Sequence, residues 1–523
     1  MKRLKYIILS GTLAVGLSGC SDYLDIYPEN SLPTDKYWQT EADVESTLFA
    51  GYYYLRDAVE DYLIPWGELR AGCIYDIDGS DLQTFEISAS DEDICTWAPL
   101  YEVVMCANLV LANADKALEN DDTYSEEEMN SHYCEAYFLR ALAYFYIVRN
   151  WRDAPLLTEP FETDDVSYLV AKSSDTAIVS QIKSDLYTAI ELNAAKESFS
   201  TTWETKGRAT KWALYALMAD VCLWNSDFDE CIEYADMILE SNSSSAPQFM
   251  STATHTSWFT IFNPGNSNES IFELQWSREE YDGTSTQTNN LPIYFDDEAS
   301  DRKYLLSSTM LDNFNTEYRS INTDYPDQPD MAVRTMYGGY YSSGTTGTTD
   351  GIVWKYVGGT TITEKRTSTY YDPNFIIYRV AEVMLMKAEA LIMRDLGNTY
   401  SDNEEAVALI NQIRERTNLN DVEFSEATDL TTLMEYVLYE RLVEFVGEGK
   451  AWYDMLRMGR YEDPTGTVDF TETFFINYVI QYNGEASESW IKSVLSDEDA
   501  WYLPVYDDEI SVNALLTQNP YYE

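Results

Sequence analysis

The sequence predicts a mainly α fold: a tetratricopeptide-like helical superhelix with an inserted loop-rich lobe containing short strands. Three observations predict it. Helices that alternate alanine with bulky residues recur, each with a helical neighbour; two helix-rich blocks flank a middle rich in Gly, Ser, Thr and Asn; and a clear strand-like alternation falls inside that middle.

Taken in chain order, Lys2, Arg3 and Lys5 precede an apolar run that ends at Leu17-Ser18-Gly19-Cys20. A run of roughly a dozen residues is short of the about 20 needed to cross a bilayer, and with its basic flank it predicts an export signal over residues 1–19. The small residues before Cys20 resemble a lipobox, so cleavage ahead of Cys20 and a diacylglycerol on its thiol are expected. The two or three acyl chains of such a lipoprotein anchor it stably, where one would hold only marginally.

Residues 20–241 are expected to form an N-terminal helical block, clearest at 125–151 and 210–225. Around Cys134, small Ala136, Ala141 and Ala143 alternate with aromatics and Leu, which lets helices approach closely. The same texture returns after Thr210 and after Tyr378. Helical neighbours at 174–192 and 404–416 complete pairs that look like degenerate tetratricopeptide repeats, a stacking architecture suited to protein contacts. Residues 242–372 read as the irregular lobe, punctuated by Ser-, Asn- and Gly-rich loops. Within it Phe272, Leu274 and Trp276 share one face of a short strand and are expected to be buried. Residues 373–523 return to helices, with an irregular tail from about 461, and are expected to pack with the first block as one composite domain.

The charge balance is strongly acidic: 34 Lys plus Arg against 90 Asp plus Glu, a net charge of −56. Such a surface repels nucleic acid and anionic headgroups, and it argues against strongly anionic substrates. His132 and His255 are the two histidines, so neither a histidine-based nucleophile dyad nor a zinc site of several histidines is available. No cofactor or metal is expected. Carboxylate pairs such as Asp91 and Asp93 arise by chance in so acidic a chain, and the run from Asp76 to Asp81 has its glycine misplaced for an EF-hand loop. Of the six cysteines beyond Cys20, Cys106, Cys134 and Cys222 sit in apolar helical patterns as buried thiols. Cys73 and Cys95 are the pair to test for a disulfide.

Several segments together resemble the SusD/RagB family of surface nutrient-binding lipoproteins. They are the stretch from Asp22 to Asn30; Trp97, Tyr101, Ala107 and Asn108; Asp372 to Leu391; Ile410 to Thr417; Glu440 to Phe445 with Glu448 to Arg457; and Tyr502 to Val505 with Glu509 to Tyr521. Val380, Glu382 and Lys450 depart from the family's usual residues. The resemblance implies four tetratricopeptide-like repeats cradling the loop-rich lobe, docked as a lid on a TonB-dependent, SusC-like barrel transporter. It implies a non-catalytic role at the exterior of the outer membrane, capturing a nutrient such as an oligo- or polysaccharide. A surface glycoside hydrolase, or a binder of peptides, is the alternative.

With 42 Tyr and 13 Trp the chain is well supplied with rings. Aromatic planes pack on the C–H faces of sugars, while polar side chains meet the hydroxyls. Trp97, Tyr101 and Asn108 share a helical face and are expected to pack internally. The candidate ligand contacts are the aromatics in apparent turns: Trp66, Tyr75 with neighbouring Asp76 and Asp78, Tyr281, and the pair Tyr340 and Tyr341.

Overall fold

The computed structural model describes residues 37–161, 168–251, 258–277, 288–296, 298–324, 333–337, 351–359, 364–367 and 371–523. Cys20, His255, Tyr281, Tyr340 and Tyr341 lie outside the described residues. The main helices are α1 (Glu41–Ala58), α2 (Ala98–Asn120), α3 (Glu126–Trp151), α4 (Asp175–Leu192), α5 (Lys211–Trp224), α6 (Phe228–Leu239), α7 (Val380–Arg394), α8 (Tyr400–Arg416) and α9 (Leu430–Glu444). Each packs on its successor from α1 to α8, and α9 packs on α7, giving the predicted superhelix. Because α6 packs directly on α7, the lobe between them is looped out of the stack.

Local chemistry explains the helix limits. Ser125 caps α3 by accepting the Glu128 N–H (3.1 Å), three glutamates occupy its positive first turn, and Arg149 sits in its last. Ala136, Ala141 and Ala143 are fully buried, as close helix packing requires. Ser174 caps α4 in the same way, and Asn193 ends it in the left-handed conformation at φ 49°.

Among the described residues the strands are short. β1 (Ile74–Asp76) pairs antiparallel with β5 (Tyr304–Leu306), β2 (Ala154–Pro155) with β3 (Lys172–Ser173), and β4 (Ser270–Leu274) with β6 (Phe375–Arg379). Phe272 and Leu274 on β4 are buried as expected, and so are the other three residues of the strand. On its second face Glu273 accepts from the Asn266 backbone N–H and the Asn374 side chain.

A network of buried charges holds the lobe to the C-terminal helices. Arg379 on β6 donates to Glu444 (2.8 Å), Glu448 (3.0 Å) and Glu269 (3.3 Å); Arg416 on α8 donates to Glu269 (2.6 Å) and Glu444 (2.5 Å); Lys355 reaches Glu448 (2.6 Å). All six side chains are 0–3% exposed. Taking such ions out of water is costly, and these are retained because each has two or more hydrogen-bonding partners: oppositely charged side chains for the arginines and glutamates, and Glu448 with the Glu444 and Val446 carbonyls for Lys355. Arg379, Arg416, Glu444 and Glu448 all come from the segments that carry the family resemblance, so those segments encode the joint between layers. A second close joint is Gly67 against Gly449: a Cβ on Gly67 would lie 2.0 Å from the Gly449 carbonyl oxygen.

The six cysteines after Cys20 are free and buried. Cys73 and Cys95 are therefore two separate thiols, the latter donating to the Ser88 carbonyl (3.3 Å). Burial pushes the Cys106 and Cys134 thiols up to about 11, which leaves them unreactive.

Candidate functional site

The structure corrects part of the expected site. Trp66 is not in an exposed turn. It sits in a wide helical turn, Pro65–Leu69, is 0% exposed, donates its indole N–H to the Ile94 carbonyl (2.9 Å) and packs edge-on against Trp151 (5.2 Å). The Pro-Trp-Gly sequence reads as a turn, but its glycine serves the contact with Gly449. Tyr75 is half-buried on β1 opposite Leu305. Asp76 is buried, and its carboxylate accepts the Asp78 N–H (3.0 Å), closing the acidic run on itself; burial raises its carboxyl above the usual range. Asp78 is exposed. Trp97 and Tyr101 pack on each other as expected (5.7 Å), and the Tyr101 hydroxyl donates to the Pro155 carbonyl (2.6 Å).

A large cavity lies elsewhere, at the junction of α1 with the lobe. It is a cleft of about 1060 Å³, and none of Trp66, Tyr75, Asp76 and Asp78 lines it. The buried stripe of α1 includes Val44, Leu48 and Leu55. Phe49, Tyr53 and Arg56, at i, i+4 and i+7, form an adjacent stripe that faces the cleft. Phe49 is 42% and Tyr53 49% exposed. Facing them, Trp203, 43% exposed, stands in the first turn of the short helix Thr202–Gly207. A capping box fixes that turn: Thr201 Oγ1 accepts the Glu204 N–H (3.3 Å), and the Glu204 carboxylate accepts the Thr201 N–H (3.1 Å).

Trp276, just past β4, closes the aromatic wall. It is 8% exposed, so the expectation of burial holds, yet it contributes to the lining. The Arg56 guanidinium lies 4.8 Å from the Tyr53 ring centre and 5.7 Å from that of Trp276, joining the two rings by cation–π contacts. Behind Phe49, Arg208 is held by Glu135 (2.6 Å), which also accepts the Tyr52 hydroxyl (2.7 Å).

Polar groups gather beside the rings. Asn266, in the turn that begins with the cis Asn263–Pro264 bond, and Gln275 exchange amide hydrogen bonds (3.1 and 2.6 Å). Asn374 donates to Gln275 (2.9 Å) and to buried Glu273 (2.7 Å). The charged groups of the wall are balanced: Arg366 pairs with Asp372 (3.3 Å), and Lys365 with Asp296 (2.5 Å) outside the lining. Hydrogen bonds from Ser200 and Thr201 hold the Glu204 carboxyl below the usual range, which makes it a poor proton donor. Among the described residues two groupings elsewhere have metal-compatible spacing, Glu41 with Glu128 and His132, and Cys222 with Asp227 and Glu230. Lys183 already neutralises the second, at 2.8 Å from Asp227 and 2.5 Å from Glu230.

Comparison with known proteins gives concordant results. Residues 297–522 match a family profile described as "SusD family", and residues 22–223 one described as "Starch-binding associating with outer membrane". A SusD-like protein of Formosa agariphila is 24% identical over 515 residues, covering 90% of this chain and 94% of the relative. The crystal structure of a SusD superfamily protein from Bacteroides vulgatus superposes with TM-score 0.71 at 19% identity, over 92% of this chain and 99% of that one. A structure titled "Laminarin binding SusD-like protein" gives TM-score 0.64 at 20% identity, over 92% and 99%.

Proposed function

This chain belongs to the SusD family, and from that premise we propose that it is a non-catalytic cell-surface receptor for an oligo- or polysaccharide, which it passes to a TonB-dependent, SusC-like transporter. The observation that carries the reading is the cleft wall itself: Phe49, Tyr53 and Trp203 expose ring faces in one cavity with a chain of side-chain amides. Rings supply area for sugar C–H faces, and amides supply both donor and acceptor to hydroxyls. The balance of charge in the wall suits a neutral ligand, and a volume of about 1060 Å³ admits more than a single sugar residue. Tyr281, Tyr340 and Tyr341 stay within the proposal as further ring contacts.

The lipid expected on Cys20 is the proposed anchor at the outer face of the outer membrane; no described helix is long and apolar enough to cross a membrane. Helical repeats offer the broad surfaces on which a transporter can dock. Retardation in native gels cast with a panel of neutral polysaccharides tests the receptor reading. Slowed migration with no new reducing ends is expected. New reducing ends would move the chain to the hydrolases, and unaltered migration across the panel would remove the glycan reading.

A further inference from the structure

The amide chain in the cleft wall has one consistent orientation. The Trp276 backbone N–H can only donate, and it points at Asn374 Oδ1 (3.1 Å). The Asn374 nitrogen must then face Glu273 Oε2 (2.7 Å) and Gln275 Oε1 (2.9 Å). This fixes Gln275, whose oxygen also accepts from Asn266 Nδ2 (3.1 Å) while its nitrogen donates to Asn266 Oδ1 (2.6 Å). Two glycines lie close against the chain: a Cβ on Gly207 would come within 2.8 Å of Gln275 Cγ, and one on Gly265 within 3.0 Å of Asn374 Nδ2.

Counting hydrogen-bond capacity leaves Gln275 asymmetric, whereas Asn266 keeps both a donor and an acceptor. Both lone pairs of Gln275 Oε1 and both N–H groups of Asn374 are consumed within the chain. Gln275 can therefore meet a ligand only as a donor, through its one remaining N–H. Its neighbour Arg56, which reaches the Gln275 backbone carbonyl (3.5 Å), is also donor-only. A sugar hydroxyl placed here brings a hydrogen that needs an acceptor of its own, whereas a carbonyl oxygen brings two lone pairs and no hydrogen. The four cations of the described lining are each already paired with a carboxylate, Arg56 with Asp57, Arg208 with Glu135, Lys365 with Asp296 and Arg366 with Asp372, and Glu204 and Glu364 also line this cleft of a chain of net charge −56, so a neutral carbonyl fits better than a carboxylate.

Resting on the receptor reading above, we propose that the ligand carries an acylamino sugar whose carbonyl oxygen accepts from Gln275 Nε2 beside the Trp276 ring, and that Glu273 is the positioning residue that locks this donor in place. Glu273 acts through Asn374 and through the Asn266 backbone N–H, which it accepts at 3.0 Å. The Asn374 bond to Gln275 transmits the lock.

The test is binding of the whole soluble chain to an array of oligosaccharides in three classes: acylamino chains such as chitotetraose, uronate chains, and unsubstituted chains such as cellotetraose and laminaritetraose. Acylamino chains should dominate. Gln275→Glu, which puts an acceptor where the donor stood and also removes the bond to Asn266, should weaken them about tenfold or more in a variant that still folds. Glu273→Gln should narrow the preference for acylamino over unsubstituted chains. Retention of only uronate or unsubstituted chains would overturn this inference and leave the receptor reading standing; retention of nothing would overturn both. Unchanged acylamino affinity in a folded Gln275→Glu would also overturn it. Should either variant fail to fold, the class preference of the unaltered chain still decides.

Discussion

Replacing Glu444 by glutamine should expose how much the buried charge network contributes. Glu444 is 0% exposed and accepts from Arg416 (2.5 Å) and Arg379 (2.8 Å), with Arg334 at 3.5 Å. Burial alone would raise its carboxyl; Arg416, Arg379, Arg334 and Lys355 more than reverse that and hold it at about 2 against an ordinary 4.5. A depression of roughly two and a half units at about 1.4 kcal/mol each corresponds to about 3.5 kcal/mol. Breaking one member of a buried ionic cluster costs about 3 to 5 kcal/mol, so the two routes agree. Because the folded pKa is the lower one, this stability is fully present above about pH 4.5 and is lost as pH falls from there through about 2. Glutamine keeps the volume and one accepting oxygen but not the charge. Urea unfolding followed by tryptophan fluorescence should show Glu444→Gln weaker by about 3.5 kcal/mol at pH 7, with a shallower loss of stability towards acid. A change below about 1 kcal/mol with an unaltered acid limb would mean that the network is not what joins lobe to helices.

Other perturbations read out other parts of the structure. Gly67→Ala should destabilise by more than about 2 kcal/mol or prevent folding, because the new Cβ meets the Gly449 backbone and not a flexible side chain; normal melting would refute that contact. Burial lifts the Glu68 carboxyl to about 8 although it accepts the Gly449 N–H (2.8 Å). The unfolded chain therefore releases this proton first, and stability should fall as pH rises from about 4.5 to about 8; in Glu68→Gln that decline should flatten, as melting temperatures across this range would show. Tyr53→Ala and Trp203→Ala should each weaken glycan binding by about 1 to 3 kcal/mol at little cost in stability, since both rings are about half exposed. An equal drop in melting temperature would make them structural. Cys20→Ala should appear in the soluble fraction of cells, and tight retention by membranes in high salt would remove the lipid anchor from the proposal.

The superhelix was legible in the sequence because helix pairing is a local, periodic property. Alternating alanine and bulky residues in α3, α5 and α7, with capping residues such as Ser125 and Ser174, specify both the helices and their close approach. Part of the cleft was within reach as well. Phe49, Tyr53 and Arg56 repeat at helical spacing beside the buried stripe of α1, and Trp203 sits inside a capping box, so each could have been placed on an outward face. Trp66 misled because Pro-Trp-Gly carries the composition of a turn, and composition does not show that Gly449 lies against Gly67.

What the sequence by itself determined is the helical stack, the looped-out lobe and the supply of rings. Only the tertiary structure decided which rings share a cavity and which polar groups face it. Glu273 and Asn374 are 101 residues apart and Gln275 and Asn374 99 apart, and they meet because β4 runs antiparallel to β6. Glu269 and Arg416, 147 apart, meet at the same joint. The physical reason is range: helix periodicity is written within about four residues, whereas a hydrogen-bonded chain or a buried ion pair is fixed by packing between elements that no local pattern relates.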